Sequence, residues 1–365
     1  MTVADGPRVL AWPAFFKQQA NPHAALLARA LIRQGIDLAD WTPLRALLRP
    51  RQLWHLHHPE TVLYRRNFLA SALETLAFFG LLAAARARGT RVLWTIHDLG
   101  SNDGLHPRLE AWFWKVFTRR IDAFICLSER GRQLAIDRYP TLASLPACVV
   151  PHGHYLEAYP QTVTREEARA HLALPSDATV LLHFGLIRPY KNVPHLIHTF
   201  HNRTDRNAVL LIAGRPFDRV MEQDVRTSAE GVSNVRLNLH RIPDEDVQRF
   251  FAASDLVVLP YRRITNSGAL MLALTFARPV LVPDLGVMRE QQETFGSDWI
   301  RLYAGDLATA DLSAAVTWAR HRERRPIAYD AFDWRRLASR TGAVYDALTR
   351  RDPRESWPGC WEARR

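Results

Sequence analysis

Residues 179–182, Thr-Val-Leu-Leu, form a short apolar run that leads into the turn HFGLIRPYK (residues 183–191). A helical segment then begins at Asn192 or Val193. An apolar run of this length has no solvent face, which is the habit of a strand inside a parallel sheet. Parallel strands need crossover helices, so the feature requires an α/β chain. The turn suits a bound phosphate. Gly185 lets the backbone approach, Arg188 offers a planar fork, Lys191 a point charge, and the next helix its positive end. Lys191 is one of three lysines against 45 arginines, from 48 basic residues in all. A solvated basic loop between strand and helix has the same composition, so this stretch alone leaves both readings open.

The same alternation runs through the chain. Strand-like runs at residues 9–12, 36–41, 53–57, 91–96, 123–127 and 148–151 are separated by helical patterns, among them 23–34, 68–85 and 109–118. Residues 157–177 are polar, contain two prolines and show no strand, and are read as a domain junction. Strands ending at Phe184 and over 209–213, 234–237, 256–260 and 280–283 follow. Helices are expected over 244–253 and from Ser267, and a last one over 333–351. For a chain of 365 residues this predicts two doubly wound, Rossmann-like domains. The expected boundaries are residues 1–160, 161–330 and a C-terminal segment 331–365.

Composition narrows the partners. Hydrophobic residues at 47% fill two cores and exclude a disordered chain, and the net charge of +11 calls for acidic partners. Cys126, Cys148 and Cys360 are odd in number and scattered, which fits neither a disulfide framework nor a zinc site. The opening MTVADGPRVLAW lacks a charged region followed by an apolar stretch, so no signal peptide is expected. Residues 68–85 are apolar enough to raise a membrane span, but Glu74 interrupts them and Arg65, Arg66, Arg86 and Arg88 flank them. The expectation is a long, mostly buried helix whose arginines can meet an anionic bilayer. No helix-turn-helix, zinc-finger or RNA-binding signature appears, so nucleic acid is not an expected partner.

A second phosphate signal is ITNSGAL (residues 264–270), after the strand-like run 256–260. Asn266 and Ser267 cap helices well, and Gly268 keeps the first turn open to an anion. An ordinary N-cap would read alike, yet two such turns in one half favour a diphosphate site.

HFGLIRPYK, LPYRRITNSGALMLALTFARPVLVP, HGHY and HLHHPE together resemble the GT-B glycosyltransferases, and among them the GumI-type xanthan β-mannosyltransferases. The matching segments run from about Asn21 to the Tyr303 region. The resemblance implies an α/β GT-B fold, two facing Rossmann-like domains with a deep inter-domain cleft. It implies transfer of mannose from GDP-mannose, with inversion, to a polyprenyl-diphosphate-linked oligosaccharide. That is an exopolysaccharide step by an enzyme peripheral to the cytoplasmic face of the membrane. Donor diphosphate contacts would come from Gly185, Arg188, Lys191, Asn266, Ser267 and Gly268. Sugar and nucleoside contacts would come from His152, Gly153, His154, Gly214, Arg215, Arg241, Ile242 and Tyr261, and acceptor-side contacts from Asn21, His57 and Asn102. A C-terminal helix that returns to the first domain is also implied.

The chain departs from the commoner retaining GT-B pattern, whose two glutamates eight positions apart would fall here on Ile264 and Leu272. Glu222 and Glu230 have that spacing but lie in an earlier helix and read as surface charge. Asp244-Glu245-Asp246 mimics a metal-binding D-x-D motif, but it opens a helix and reads as a cap. No metal or cofactor is therefore expected, and Arg188, Lys191 and the Ser267 helix end are left to carry the leaving diphosphate. Inversion needs a base for the acceptor hydroxyl. The candidates are Asp103, then Asp98, where the resembled family has Asn, then Glu60, with His97 as a sugar or phosphate contact. The alternatives are a retaining transferase, an epimerase or hydrolase using another donor such as a UDP-sugar, and a non-catalytic basic binding protein.

Overall fold

A computed structural model describes residues 6–16, 22–48, 52–100, 104–203, 207–320 and 325–350. The chain divides into two units, Met1–Gly153 with Asp330–Arg365, and His154–Tyr329.

In the first unit the order is β1 (Arg8–Trp12), α1 (His23–Arg33), β2 (Asp37–Asp40), α2 (Pro43–Leu48), β3 (Leu53–Leu56), α3 (Phe68–Ala87) and β4 (Arg91–Ile96). There follow α4 (Pro107–Phe117), β5 (Ala123–Cys126), α5 (Glu129–Arg138) and β6 (Ala147–Val149). The six strands form one parallel sheet in the order β2-β1-β3-β4-β5-β6. On one face Trp54, Leu56, Trp94 and Phe124 pack against Phe78, Phe113 and Phe117. Aromatic residues suit this core because each buries a large apolar area on two rotatable bonds.

In the second unit α6 (Arg165–His171), β7 (Thr179–Phe184), α7 (Val193–His201), β8 (Ala208–Ala213), α8 (Arg219–Ala229) and β9 (Val235–Asn238) come first. Then come α9 (Val247–Ala253), β10 (Leu256–Val258), α10 (Gly268–Thr275), β11 (Val280–Pro283), α11 (Met288–Phe295), β12 (Ile300–Tyr303) and α12 (Thr309–Arg320). The sheet is parallel, ordered β12-β11-β10-β7-β8-β9. Every residue of β7 and β8 is buried, as the unbroken apolar runs demand. A buried ion pair anchors the start of this unit. Asp255 accepts from Arg169 and Arg165 at 2.7 Å each and from the Val180 amide at 2.8 Å. Arg169 also donates to the carbonyls of Ser176, Ala178 and Ala253, so both buried charges are satisfied. The polar stretch read as a junction therefore carries a helix, α6, opened by a Thr164/Glu167 capping box.

The last helix, α13 (Trp334–Thr349), packs on α1 in the first unit. Asp333 caps it, and Gln34 Nε2 donates to the Arg335 carbonyl at 2.8 Å.

Two expectations need correction. The α3 helix is not mostly buried: only 33% of its apolar window is. Ser71 and Thr75 point inward while Leu69, Leu73 and Leu76 are 69, 67 and 58% exposed. Asp244-Glu245-Asp246 does not open a helix with capping bonds. The helix starts at Val247, Asp246 makes no side-chain cap, and the acids instead pair with arginines, Asp244 with Arg241 at 3.4 Å and Asp246 with Arg249 at 3.0 Å.

Candidate functional site

Strand order reverses at β7 and β10 in the second unit, because β8 and β9 extend to one side of β7 and β10, β11 and β12 to the other. Ligands of open parallel sheets bind beyond the carboxyl ends of strands at such a point. Both predicted phosphate turns lie there. Gly185, directly after β7, has φ +111°, which only glycine adopts without strain. A Cβ on it would sit 3.4 Å from Lys191 Nζ, which places the ammonium beside the turn. A short 3-10 turn, Pro189–Lys191, and the left-handed Asn192 then set Lys191 at the foot of α7.

Lys191 Nζ is 5.6 Å from the centroid of the Tyr261 ring. The Tyr261 hydroxyl is hydrogen-bonded with Ser267, and burial pushes its pKa up. Ser267 caps α10 by accepting from the Leu270 amide at 3.0 Å. By helix geometry the amides of Gly268 and Ala269 have no intrahelical acceptor. Tyr261 thus joins the two turns, setting an ammonium near a helix N-terminus, as binding of a diphosphate requires. Arg188 lies over the Phe217 ring, 4.6 Å from its centroid, which fixes its planar head. Asn266 is half-buried in the same loop.

The residues expected at the nucleoside fare differently. Gly214, at φ +143°, serves the turn itself: a Cβ there would lie 2.0 Å from the Gly185 carbonyl oxygen. The Arg215 carbonyl accepts from Ile187 at 2.9 Å, while its side chain is exposed. Ile242 is a core residue, and Arg241 is exposed and paired with Asp244. His154 is buried beside Tyr329, their ring centroids 5.5 Å apart. In the first unit, Gly153 packs flat on Trp334, where a Cβ would come within 2.5 Å of the ring.

The first unit holds a histidine cluster that sequence reasoning found only in part. His55 and His57 alternate along and just beyond β3 and share a face. His55 Nδ1 lies 2.7 Å from the Tyr345 hydroxyl and its Nε2 2.6 Å from Thr95 Oγ1. His57 Nδ1 lies 3.0 Å from His97 Nε2. His97 also stacks on His58 with centroids 4.8 Å apart, and His23 contacts both His97 and His152. Burial lowers the pKa of His55 to about 3 and that of His152 to about 4, and it lowers His23, His57 and His97 well below the ordinary value, with neighbouring imidazoles adding to the effect. These five histidines are therefore neutral at pH 7. Among the described residues no group of three or more His, Cys, Asp or Glu is placed to hold a metal ion.

At the edge of this cluster Glu60 Oε1 accepts from His58 Nδ1 at 3.1 Å. The Glu60 side chain is 8% exposed and that of His58 33%, so the imidazole, not the carboxylate, is presented to solvent. The more exposed group of the pair is thus the His58 imidazole. His57, expected on the acceptor side, is buried and committed to His97. Asp98 is half-buried just after β4. Asp103, Asn102 and Asn21 lie outside the described residues. His23 and His55 were missed. For His55 the signal was its two-residue spacing from His57, whereas His23 and Tyr345 are brought in by packing of α1 and α13.

Residues 178–318 match the family model described as "Glycosyl transferases group 1", and residues 69–158 that described as "Glycosyltransferase Family 4". The chain is a GT-B glycosyltransferase. It is 29% identical over 337 residues to a GDP-mannose:glycolipid 4-beta-D-mannosyltransferase of Xanthomonas campestris pv. campestris, covering 92% of this chain and 91% of that one. Among solved structures it is similar to a sucrose-phosphate synthase from Thermosynechococcus elongatus, with a TM-score of 0.68, 16% identity and coverage of 94 and 99%. Anabaena HepE in complex with UDP-glucose matches with a TM-score of 0.62, 13% identity and coverage of 94 and 97%. At these identities the solved structures speak for the fold alone. The epimerase, hydrolase and binding-protein alternatives fall with the transferase assignment.

Proposed function

We propose that this glycosyltransferase moves mannose from GDP-mannose, with inversion to a β linkage and without a metal, onto a polyprenyl-diphosphate-linked oligosaccharide in exopolysaccharide synthesis. The observation that carries the reading is the meeting of Lys191, Gly185 and the Ser267 helix end around Tyr261. That arrangement offers fixed positive charge to a leaving diphosphate. The mannose and the glycolipid acceptor rest on the relative's name, and the β outcome on the missing glutamate pair. In this reading Arg188 and Asn266 complete the diphosphate contacts, and Arg241 and the main chain at Ile242 are assigned to the nucleoside on the family resemblance.

In this reading the acceptor oxygen attacks the anomeric carbon as the bond to the diphosphate breaks, and the electron pair leaves with GDP. The proton passes to His58 Nε2. Glu60 accepts from His58 Nδ1 and so holds the tautomer whose Nε2 carries the lone pair. His58 thus displaces Glu60 as the base to be weighed against Asp98 and Asp103.

The exposed leucines of α3 continue into Leu44, Leu47 and Leu48 of α2, 65, 50 and 66% exposed. Arg45, Arg66 and Arg88 lie along the same two helices and their ends. An apolar face with basic neighbours fits peripheral attachment to an anionic bilayer on its cytoplasmic side.

A thermal-shift panel of GDP, UDP, ADP and their sugar conjugates, each with EDTA or Mg²⁺, tests the donor. The expected result is a raised midpoint with GDP and GDP-mannose, unchanged by EDTA. A shift confined to UDP compounds refutes the mannose assignment, and one that needs Mg²⁺ refutes the metal-free mechanism.

A further inference from the structure

We infer that the first unit contains a dedicated binding site for the hydrocarbon chain of the lipid acceptor, built from the ends of β1 and β2 and the inner flank of α3. A cavity of about 840 Å³ lies there, lined by Trp12, Phe15, Trp41, Val62, Ala77 and Phe78 among others. Its size falls in the range of small-molecule sites.

Its chemistry selects an apolar guest. Trp12 and Trp41 stack with centroids 4.6 Å apart, and Phe78 packs against both. The charged groups in the lining are already committed. Asp40 Oδ1 accepts from the amides of Ala14, Phe15 and Phe16 at 2.9, 3.0 and 3.2 Å. Glu74 is paired with Arg65 at 2.7 Å, and Arg45 donates to the Asp40 carbonyl at 3.0 Å. A carbohydrate would lose its water here and gain no equivalent partners, whereas a hydrocarbon gains by leaving water.

Position identifies whose chain it is. Ala77 lines the cavity one residue after the exposed Leu76, so the cavity borders the apolar outer face of α3. On the other side, main-chain links tie its lining to the histidine cluster. The His57 amide donates to the Trp12 carbonyl at 2.8 Å, and Val62 shares the short turn Pro59–Leu63 with Glu60. The strand β1, whose end helps form it, lies beside β3, where the order of the first sheet reverses. A lipid entering from the bilayer would thus place its headgroup end beside His58. The occupant is the isoprenoid chain of the acceptor, and the inference rests on the glycolipid-acceptor reading above.

Equilibrium dialysis of radiolabelled farnesyl phosphate, below its aggregation concentration, against the full chain tests this. Saturable binding is expected, at least tenfold weaker in Ala77→Phe, which fills the cavity, and intermediate in Ala77→Leu. Leu69→Ser/Leu73→Ser, changed on the outer face only, should keep its affinity within twofold while sedimenting less with anionic vesicles. Folding of each variant is checked by its thermal midpoint. Absence of saturable binding, equal affinity in a folded Ala77→Phe, or equal loss in the leucine variant overturns the inference. Dialysis of labelled GDP in parallel separates the two readings: GDP binding without farnesyl phosphate binding sinks only the chain site, and the reverse sinks the GDP-mannose donor reading.

Discussion

Acidification should unfold the first unit through its histidines. His23, His55 and His57 are buried and held neutral, their folded pKa values below that of an unfolded histidine near 6.5. For a lowered histidine the unfolded chain binds the extra proton between the two pKa values. The stability contribution is therefore present above pH 6.5 and falls as the pH drops toward the folded value, about 3 for His55. A group lowered in this way costs about 1.4 kcal/mol per pH unit in that window, so at pH 5 His55 alone costs about 2 kcal/mol, and His23 and His57 add in the same direction. That is a large fraction of the whole stability of an ordinary domain. Nine of the eleven tryptophans fall in the first unit and only Trp299 and Trp318 in the second, so urea titrations followed by tryptophan emission report mainly on the first unit. The midpoint should fall steeply between pH 7 and pH 5. His55→Asn should be less stable at pH 7.5, because Tyr345 and Thr95 lose their partner, yet show a pH slope shallower by about one proton. A midpoint independent of pH, or a His55→Asn slope equal to the parent's, would refute the reasoning.

Lys191→Met should weaken GDP binding by about 10- to 100-fold, the worth of a charge-assisted contact to phosphate, without changing the thermal midpoint of the free protein; calorimetry decides. Gly214→Ala meets both a positive φ and the Gly185 carbonyl, so denaturation should show the second unit destabilised by at least about 2 kcal/mol. Ser267→Ala removes a cap worth about 1 kcal/mol and should loosen donor binding along with α10. Glu60→Gln should lower kcat by about 10²-fold with the donor KM unchanged and shift the acidic limb of the pH–rate profile, whereas a merely structural role would leave that limb in place.

The strand runs were legible because parallel strands are apolar on both faces, so β4, β7, β8 and β11 stand out in the sequence. The turns after β7 and β10 were legible because Gly185 and Ser267 act through local backbone geometry. The exposure of α3 was not, since a helix apolar all round has no periodicity to say which side meets protein. The Glu60–His58 pair looked like two separate residues, because only the tight turn after β3 buries the carboxylate and leaves the imidazole outside. The short edge strand β12 was missed, and neither the packing of Gly214 on the Gly185 carbonyl nor the burial of the Ile242 side chain was legible. A glycine at a strand end and an apolar residue in a loop look the same in sequence whether they face a ligand or the core.

The most direct test of the central claim is transfer of labelled mannose from GDP-mannose to a lipid-extractable oligosaccharide acceptor in the presence of EDTA, with the anomeric configuration of the product read by NMR. The account predicts incorporation that persists in EDTA, a β-linked product and loss of activity in Lys191→Met. Incorporation from a UDP-sugar but not from GDP-mannose, or an α-linked product, would contradict it.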